Sequence, residues 1–422
     1  MPELWTNWTG DQRCAPVSIE RPGSEEELAE LVAHSERVHV AGSGHSFTDA
    51  TCTDGVLVDI GRMDRVLGQD GERVTVEAGI TLHDLGERLA ERGLAMENQG
   101  DIDRQTLAGA LSTATHGTGA RFPNLSAQVA GLRLVTSAGV VELSEGDDLR
   151  AARVGIGALG AIAAVTLRCV PLFTIRRVDE PQPLEETLER FDELAAGNDH
   201  FEFFVFPYDD TALVRLSERG QMEPEPVAAW KHYLQETVLE NRVLGLGMRF
   251  GRRFPKLIPA IHRGFGRAIS RQVRTDHGHR VYATRREVKF TEMEYGVPRE
   301  HGVEAVRRVI ELVRRRRLPV TFPIEVRVTA PDDAFLSTAE GRDTAYVAVH
   351  QYRGMEFESY FRAVERIMDD YDGRPHWGKR HYQSAATLQA RYPDWDRFQA
   401  VRARLDPDRR FQNGYTERVL GP

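Results

Sequence analysis

A histidine stands in a glycine-rich turn that directly follows an apolar run near the N-terminus. Residues 38–50 read VHVAGSGHSFTDA, which places His45 just after Gly42 and Gly44. Residues without bulky side chains allow backbone N–H groups to come close to a bound anion. The stretch is therefore typical of a loop that approaches a phosphate-bearing cofactor, with the histidine facing that cofactor.

Other interpretations of the same stretch have to be weighed. A dinucleotide fingerprint needs a third glycine where Phe47 stands. A nucleophile elbow around Ser46 would need a closing glycine where Thr48 stands. A structural turn with a surface histidine requires nothing further. The stretch alone leaves the cofactor loop and the plain turn open.

A carboxylate and a guanidinium lie two residues apart in a second stretch. Residues 320–329 read VTFPIEVRVT, an alternation typical of a strand, which puts Glu325 and Arg327 on one face. That face is either solvated and carries an ion pair, or it looks onto a ligand. The pattern alone does not separate the two.

Small residues recur in two further turns. One lies in residues 96–122, MENQGDIDRQTLAGALSTATHGTGARF, and the other is GIGALG at 155–160. Three such turns, each beside a predicted strand, are more than chain connectivity requires. The simplest physical account is an extended ligand that contains a pyrophosphate and is held by backbone groups.

The elements that must position these residues are short strands and helices in alternation. Hydrophobic spacing predicts a helix at 25–36 and a strand at 37–42, and the pattern continues to about residue 170. From residue 173 onwards a second sheet with helices on one side is predicted. Within this part of the chain, residues 226–274 are predicted to be largely helical. Helices interspersed among strands indicate an α+β fold.

Composition limits the functional class. The chain has 422 residues and a net charge of −9, which predicts two domains and argues against nucleic-acid binding. Three scattered cysteines argue against a disulfide framework. No apolar run is long enough to span a membrane, and we expect a cytoplasmic protein without an obligate protein partner.

A basic segment stands out in this acidic chain. Residues 242–289 hold 13 Lys or Arg against two acids, interspersed with Phe, Leu and Ile. The segment is either a solvated basic face or a weak contact with a membrane surface.

Five motifs in register resemble one family. GSGHSF, GDIDRQTLAGALSTATHGTG, GALGAI, PIEVR and RPHWGK occur in the order and at the separations found in vanillyl-alcohol-oxidase-type flavoproteins, which carry a PCMH-type FAD-binding domain. The chain looks most similar to the aldonolactone oxidases (gulonolactone and arabinonolactone oxidases), with alditol oxidases next. The resemblance implies an FAD-binding domain at 1–172, completed by 373–422, and a substrate or cap domain at 173–372.

The resemblance also implies the residues that contact FAD. A histidine at the position of His45 is joined covalently to the 8α-methyl carbon of the flavin in this family. The cofactor-binding residues implied are Ala41, Gly42, Ser43, Gly44, His45, Ser46, Phe47, Gly100, Asp101, Thr106, Gly109, Ser112, Thr113, Ala114, Thr115, His116, Gly119, Ile162 and Lys379. His116 can equally be a structural histidine in a turn.

On the substrate side the resemblance implies that Glu325 is the general base and that Arg327 keeps it ionised or binds substrate oxygens. Lys379 would stabilise anionic reduced flavin. Asp101 and His350 complete the predicted substrate-binding set, although many relatives carry serine in place of Asp101. We expect no metal site.

The predicted reaction is oxidation of an aldono-1,4-lactone, with hydride passing to flavin N5 and oxygen reduced to hydrogen peroxide. Gly100 favours oxygen as acceptor, because a small residue beside the flavin leaves oxygen room to approach. An alditol oxidase acting on a xylitol- or sorbitol-type polyol by the same mechanism is the alternative. A serine hydrolase using Ser46 is disfavoured by Thr48.

Overall fold

The computed structural model describes residues 3–225, 242–284 and 287–422. Within this part the N-terminal half builds small sheets around one apolar core. They are the pair β1 (Trp5–Thr6) and β2 (Arg13–Cys14), the parallel sheet β3 (Ser18–Glu20), β4 (Val38–Ala41) and β5 (Val56–Asp59), the antiparallel sheet β6 (Val66–Asp70), β7 (Arg73–Glu77), β9 (Val129–Thr136), β10 (Gly139–Leu143) and β11 (Ala161–Arg168), and the pair β8 (Leu94–Ala95) and β12 (Val170–Pro171).

Three of the four helices described in this half begin at a residue whose side chain caps the helix. α1 (Glu25–His34) is capped by the Ser24 side chain, which accepts from the N–H of Glu27, and it buries Leu28 and Val32. The others are α2 (Leu82–Ala90), α3 (Leu107–Ser112) and α4 (Gly146–Ala152). The predicted helix at 25–36 is thus confirmed.

The middle of the chain forms one large antiparallel sheet. Among the described residues its strand order is β16, β13, β15, β14, β18, β19, β17 and β20. The strands are β13 (Thr174–Pro183), β14 (His200–Val205), β15 (Thr211–Gly220), β16 (Gln272–His277), β17 (Phe290–Pro298), β18 (Ile324–Thr329), β19 (Thr344–Tyr352) and β20 (Arg374–Pro375). The predicted helical stretch at 226–274 is wrong at its end, where β16 pairs with β13, and residues 226–241 lie outside the described residues.

Helices cover one face of this sheet. They are α5 (Leu184–Glu189), α6 (Phe191–Gly197), α10 (Gly302–Arg316) and α11 (Glu358–Asp369). Between β15 and β16 lie α7 (Leu244–Arg253) and α8 (Ile258–Ala268), and the short helix α9 (Gly278–Tyr282) packs on the opposite face, where Val281 shares a buried cluster with Ile175. α10 is typical: Val306, Val309 and Val313 are buried at helical spacing against the sheet, while its last three arginines are exposed. The opposite face of the sheet carries charged side chains.

The C-terminal segment returns to the N-terminal core. It contains α12 (Ala385–Leu388), α13 (Trp395–Leu405) and α14 (Gly414–Leu420), and Trp377, Phe398 and Tyr415 are buried in the same cluster as Leu107 and Val135. Trp377 Nε1 also donates to Leu336 O at 2.7 Å. Residues 334–336 of the middle segment pack in that core as well. The domain boundaries at 172 and 372 stay a prediction.

Candidate active site

The loop that follows β4 is held from two sides. Trp8 N donates to Gly44 O at 2.8 Å, and Phe47 N donates to Gly378 O at 2.7 Å, so both the N-terminus and the C-terminal segment fix this loop. Gly44 has φ +68°, a backbone conformation that residues other than glycine rarely adopt. His45, between these anchors, stacks on the Trp8 ring at 5.5 Å between centroids.

Four consecutive backbone donors of this loop are open. The N–H groups of residues 43–46 have no acceptor within the part of the chain that the structure describes. They line a recess of about 740 Å³, together with Thr106, Gly109 and Gly157. Successive open N–H groups in a turn form a concave site for an anion. This donor set fits the pyrophosphate of a dinucleotide cofactor.

A second recess, of about 640 Å³, adjoins the first. His45, Ser46, Gln105 and Thr113 line both recesses, so the two form one extended site. An elongated cofactor with a phosphate part and a ring part matches this shape.

Most residues that the resemblance implies line these recesses. The first recess has Gly42, Ser43, Gly44, His45, Ser46, Thr106, Gly109, Ser112, Thr113 and Ile162, and the second adds Phe47, Gly100, Asp101, Thr115, His116, Glu325, Arg327, His350 and Lys379. Ala41, Ala114 and Gly119 line neither recess. Gly119 instead donates to Val328 O at 2.8 Å, and a Cβ on it would lie 2.3 Å from Asp199 O. Gly119 therefore lies at a close contact between the N-terminal half and the large antiparallel sheet.

Burial sets the protonation of His45. Loss of solvent lowers the pKa of this imidazole to about 4, and the Asp103 carboxylate offsets only part of that effect. The ring is neutral at physiological pH and carries a free lone pair. A neutral imidazole is the form that can act as a nucleophile.

β18 presents the predicted carboxylate and guanidinium to the second recess. Glu325 and Arg327 are both 5% exposed and form an ion pair. Arg327 also contacts Glu202 Oε2 at 2.8 Å and Asp101 Oδ1 at 3.2 Å. Burial alone would lower the pKa of Arg327, but Asp101, Glu325 and Glu202 outweigh it and hold that pKa well above its usual value.

β17 supplies two carboxylates that the sequence analysis missed. Lys379 Nζ donates to Glu292 Oε1 at 2.6 Å and to Glu294 Oε2 at 2.7 Å. Burial would raise the pKa of Glu292, but Lys379 and His350 lower it to about 2. The sequence signal was available: Glu292 and Glu294 alternate in FTEMEYGV as Glu325 and Arg327 do in PIEVR.

A histidine flanks each of these carboxylates. His350 places Nε2 at 3.2 Å from Glu292 Oε1 and Nδ1 at 3.2 Å from Pro323 O. His116 repeats the arrangement, with Nε2 at 3.1 Å from Glu294 Oε2 and Nδ1 at 2.9 Å from Gly117 O. A carbonyl oxygen only accepts, so each ring donates from Nδ1. Each histidine is therefore held between a backbone carbonyl and a buried glutamate carboxylate.

A potential metal cluster lies in the same network. His116, Glu294 and His376 bring ligand atoms within 4.8 Å of one another. The Lys379 ammonium already lies beside the Glu294 carboxylate, and burial followed by Lys379 lowers the pKa of His376 to about 3. The geometry is that of an ion-pair network around a lysine.

Sequence comparison identifies the family. Residues 16–144 match the family described as FAD binding domain, and residues 165–419 match the family described as D-arabinono-1,4-lactone oxidase. The chain belongs to the D-arabinono-1,4-lactone oxidase family. The chain is therefore an FAD-dependent oxidoreductase, and the predicted family and the predicted FAD cofactor are confirmed.

Curated relatives align over nearly the full length of the chain. L-gulono-1,4-lactone dehydrogenase of Mycobacterium tuberculosis is 59% identical, covering 100% of both chains. L-gulonolactone oxidase of Bos taurus is 33% identical over 98% of this chain and 97% of its own. Alditol oxidase of a Streptomyces species is 31% identical over 98% of each.

Solved structures confirm the fold predicted for the lactone oxidase family. Cholesterol oxidase from Brevibacterium sterolicum superposes with a TM-score of 0.83, covering 100% of this chain and 97% of that one, at 16% identity. Identity this low shows the fold alone. The predicted two-domain α+β fold with a PCMH-type FAD-binding domain is thereby confirmed.

Proposed function

We propose that this protein oxidises a ring hydroxyl of a neutral aldono-1,4-lactone of the gulono-, galactono- or arabinono-type. The observation that carries the proposal is the buried Glu325–Arg327 pair, which lines the same recess as His45 and Lys379. The 59% identity to a protein named L-gulono-1,4-lactone dehydrogenase supports the substrate class.

FAD, when bound, would supply the acceptor for one hydride, which carries both electrons of the oxidation. Glu325 takes the proton of the substrate hydroxyl, since its carboxylate lines the recess. Arg327, held by three carboxylates, keeps Glu325 ionised between turnovers. The proton leaves the reacting oxygen as the hydride leaves the carbon, so no charge builds up on the substrate.

Neutral substrates suit the charge of this recess. Arg327 contacts Asp101, Glu202 and Glu325, and Lys379 contacts Glu292 and Glu294. Both cations are already surrounded by carboxylates and offer little attraction to a substrate anion. A lactone fits better than the aldonate anion formed when its ring opens.

Anaerobic bleaching of the flavin tests the substrate class. The holoenzyme is mixed with gulono-, galactono- and arabinono-1,4-lactone, with the corresponding aldonates, and with xylitol and sorbitol. We expect faster bleaching with a lactone than with any other compound. Faster bleaching with a polyol would favour the alternative, an alditol oxidase, which the 31% identity to such an enzyme supports.

His45 is proposed to carry the flavin covalently. Its neutral ring lines both recesses, and its loop is fixed at both ends, so the nucleophilic nitrogen is held in place. The segments 1–172 and 373–422 would then enclose the cofactor, and 173–372 would cap it.

His45→Ala is expected to abolish flavin fluorescence at the protein band of a denaturing gel, because no nucleophile remains for the tether. His34→Ala, an exposed histidine at the end of α1, serves as control and should keep the fluorescent band. A fluorescent band that persists in His45→Ala would place the tether elsewhere.

Oxygen is the proposed electron acceptor, with hydrogen peroxide as product. A Cβ at Gly100 would lie 3.1 Å from His116 O and 3.4 Å from a Thr115 methyl, so the residue borders a narrow part of the recess. Some relatives are named dehydrogenases and others oxidases, so their names do not identify the electron acceptor. The proposal that oxygen is the acceptor therefore rests on Gly100.

Gly100→Ala is expected to slow reoxidation of the reduced flavin by oxygen about tenfold, a barrier increase of ~1.4 kcal/mol. Reduction by the lactone should stay within about threefold of wild type, since Glu325 and Arg327 are untouched. Stopped-flow spectroscopy of the two half-reactions measures both. Unchanged reoxidation in Gly100→Ala would show that this residue does not control oxygen access.

A further inference from the structure

Large apolar side chains are exposed along one stripe of the segment 243–257. Leu246 is 62% exposed, Phe250 47% and Phe254 45%, and Val243 and Leu257 are each 43% exposed. Val243, Leu246 and Phe250 follow one another at the spacing of the α7 turn, and Phe254 and Leu257 come just after the helix ends. We call these five residues the apolar stripe.

The stripe points away from the protein. On α7 the buried residues are Met248 and Gly251, which lie on the helix face opposite Leu246 and Phe250. Met248 packs with Phe47, Phe290 and Phe322. One face of α7 is thus anchored in the core, and the stripe on the other face has no such partner among the described residues.

The chain segment that carries the stripe is rich in exposed basic side chains. Six exposed cations and no acid lie between residues 243 and 268: Arg249, Arg252, Arg253, Lys256, Arg263 and Arg267. None of the six has a carboxylate partner among the described residues. In a chain of net charge −9 this is a strong local excess of positive charge.

We propose that the apolar stripe and its six cations dock the enzyme on an anionic membrane surface. Apolar side chains that enter the headgroup region, flanked by arginine and lysine that pair with lipid phosphates, are the chemistry of an interfacial helix. The charge complementarity favours lipid over a second copy of this acidic chain. No helix among the described residues has the length and hydropathy to cross a bilayer, so the contact is peripheral.

The location of this surface bears on the site. Phe290, which packs on Met248, also lines the second recess. A single layer of side chains therefore separates the docking helix from the recess. On a membrane, the enzyme would therefore have its second recess close to the lipid surface. The proposed oxidation of a lactone does not itself require this position.

Vesicle sedimentation of the holoenzyme tests the proposal. We expect wild type to sediment with phosphatidylcholine vesicles that contain phosphatidylglycerol, to remain soluble with phosphatidylcholine alone, and to be released by salt. Leu246→Ser with Phe250→Ser should abolish binding. Arg249→Gln and Arg253→Gln should each weaken it roughly fivefold.

Leu67→Ser with Val140→Ser is the matched control, because these residues are 42% and 46% exposed but lie far along the chain, on β6 and β10. This control should bind like wild type. Equal sedimentation of the stripe variant and wild type would overturn the proposal, as would salt-insensitive binding. A chain that is dimeric by sedimentation velocity, turns monomeric in the stripe variant and never binds vesicles would assign the stripe to a second copy instead.

Discussion

Glu325→Gln is expected to slow reduction of the flavin by the lactone about 10²- to 10⁴-fold, the usual contribution of a general base. The amide keeps the shape of the side chain but cannot take the hydroxyl proton. Binding of the lactone should change little, because the amide still occupies the same place in the recess. Rapid-mixing absorbance in the absence of oxygen measures the rate and the dissociation constant separately.

Glu202→Gln is the matched control for this prediction. Glu202 contacts the same guanidinium, with Arg327 Nε at 2.8 Å, but it does not line the second recess. Removing it takes one negative charge from Arg327, as Glu325→Gln does. A loss of only about tenfold in Glu202→Gln would show that Glu325 acts as a base and not merely as a charge.

Equal losses in the two variants would contradict this assignment. They would mean that the guanidinium needs all of its carboxylates and that the proton leaves by another group. His350 would then be the next residue to replace, since it lines the recess and its Nε2 lies 3.2 Å from Glu292 Oε1.

The local sequence pattern was sufficient to predict the strand that carries Glu325, the predicted general base. Alternation in residues 320–329 predicted that Glu325 and Arg327 share a face, and β18 places both in the recess. The glycine-rich turn after β4 likewise predicted open backbone donors, and residues 43–46 provide them. In both cases the information lies within about ten consecutive residues.

The Lys379 network could not be predicted in the same way. Glu292 and Glu294 show the same alternation, but their role depends on Lys379, which lies 85 residues beyond Glu294 in the chain. The short pairing of β17 with β20, Tyr295 opposite Pro375, brings the lysine to them. Such a register is set by tertiary packing and leaves no local signature.

The same limit explains two smaller differences. β16 was included in a helical stretch because its strand character comes from pairing with β13. Gly119 was expected at the cofactor because it follows a run of small residues, yet its small size serves the close contact with Asp199. A small residue shows that something approaches, but it does not show what approaches.

Lys379→Met is expected to lower the reduction potential of the bound flavin by about 30 mV or more, since 30 mV corresponds to ~1.4 kcal/mol for two electrons. The Lys379 ammonium contacts both Glu292 and Glu294. Without it, the negative charges of these two buried carboxylates would destabilise the anionic reduced flavin. Lys379→Arg keeps the charge and should shift the potential less. Spectroscopic titration against a dye of known potential provides the measurement.

Stability separates this electrostatic effect from simple damage. Leaving a buried charge unpaired costs about 3 to 5 kcal/mol, so Lys379→Met should also unfold at lower temperature. Adding Glu292→Gln restores the charge balance of the network and should recover both the melting temperature and part of the potential. Arg380→Met, which removes a neighbouring cation that pairs with Asp11 outside the recess, should leave the potential unchanged. If Lys379→Met keeps the wild-type potential, the lysine holds β17 and the C-terminal segment together and takes no part in flavin reduction.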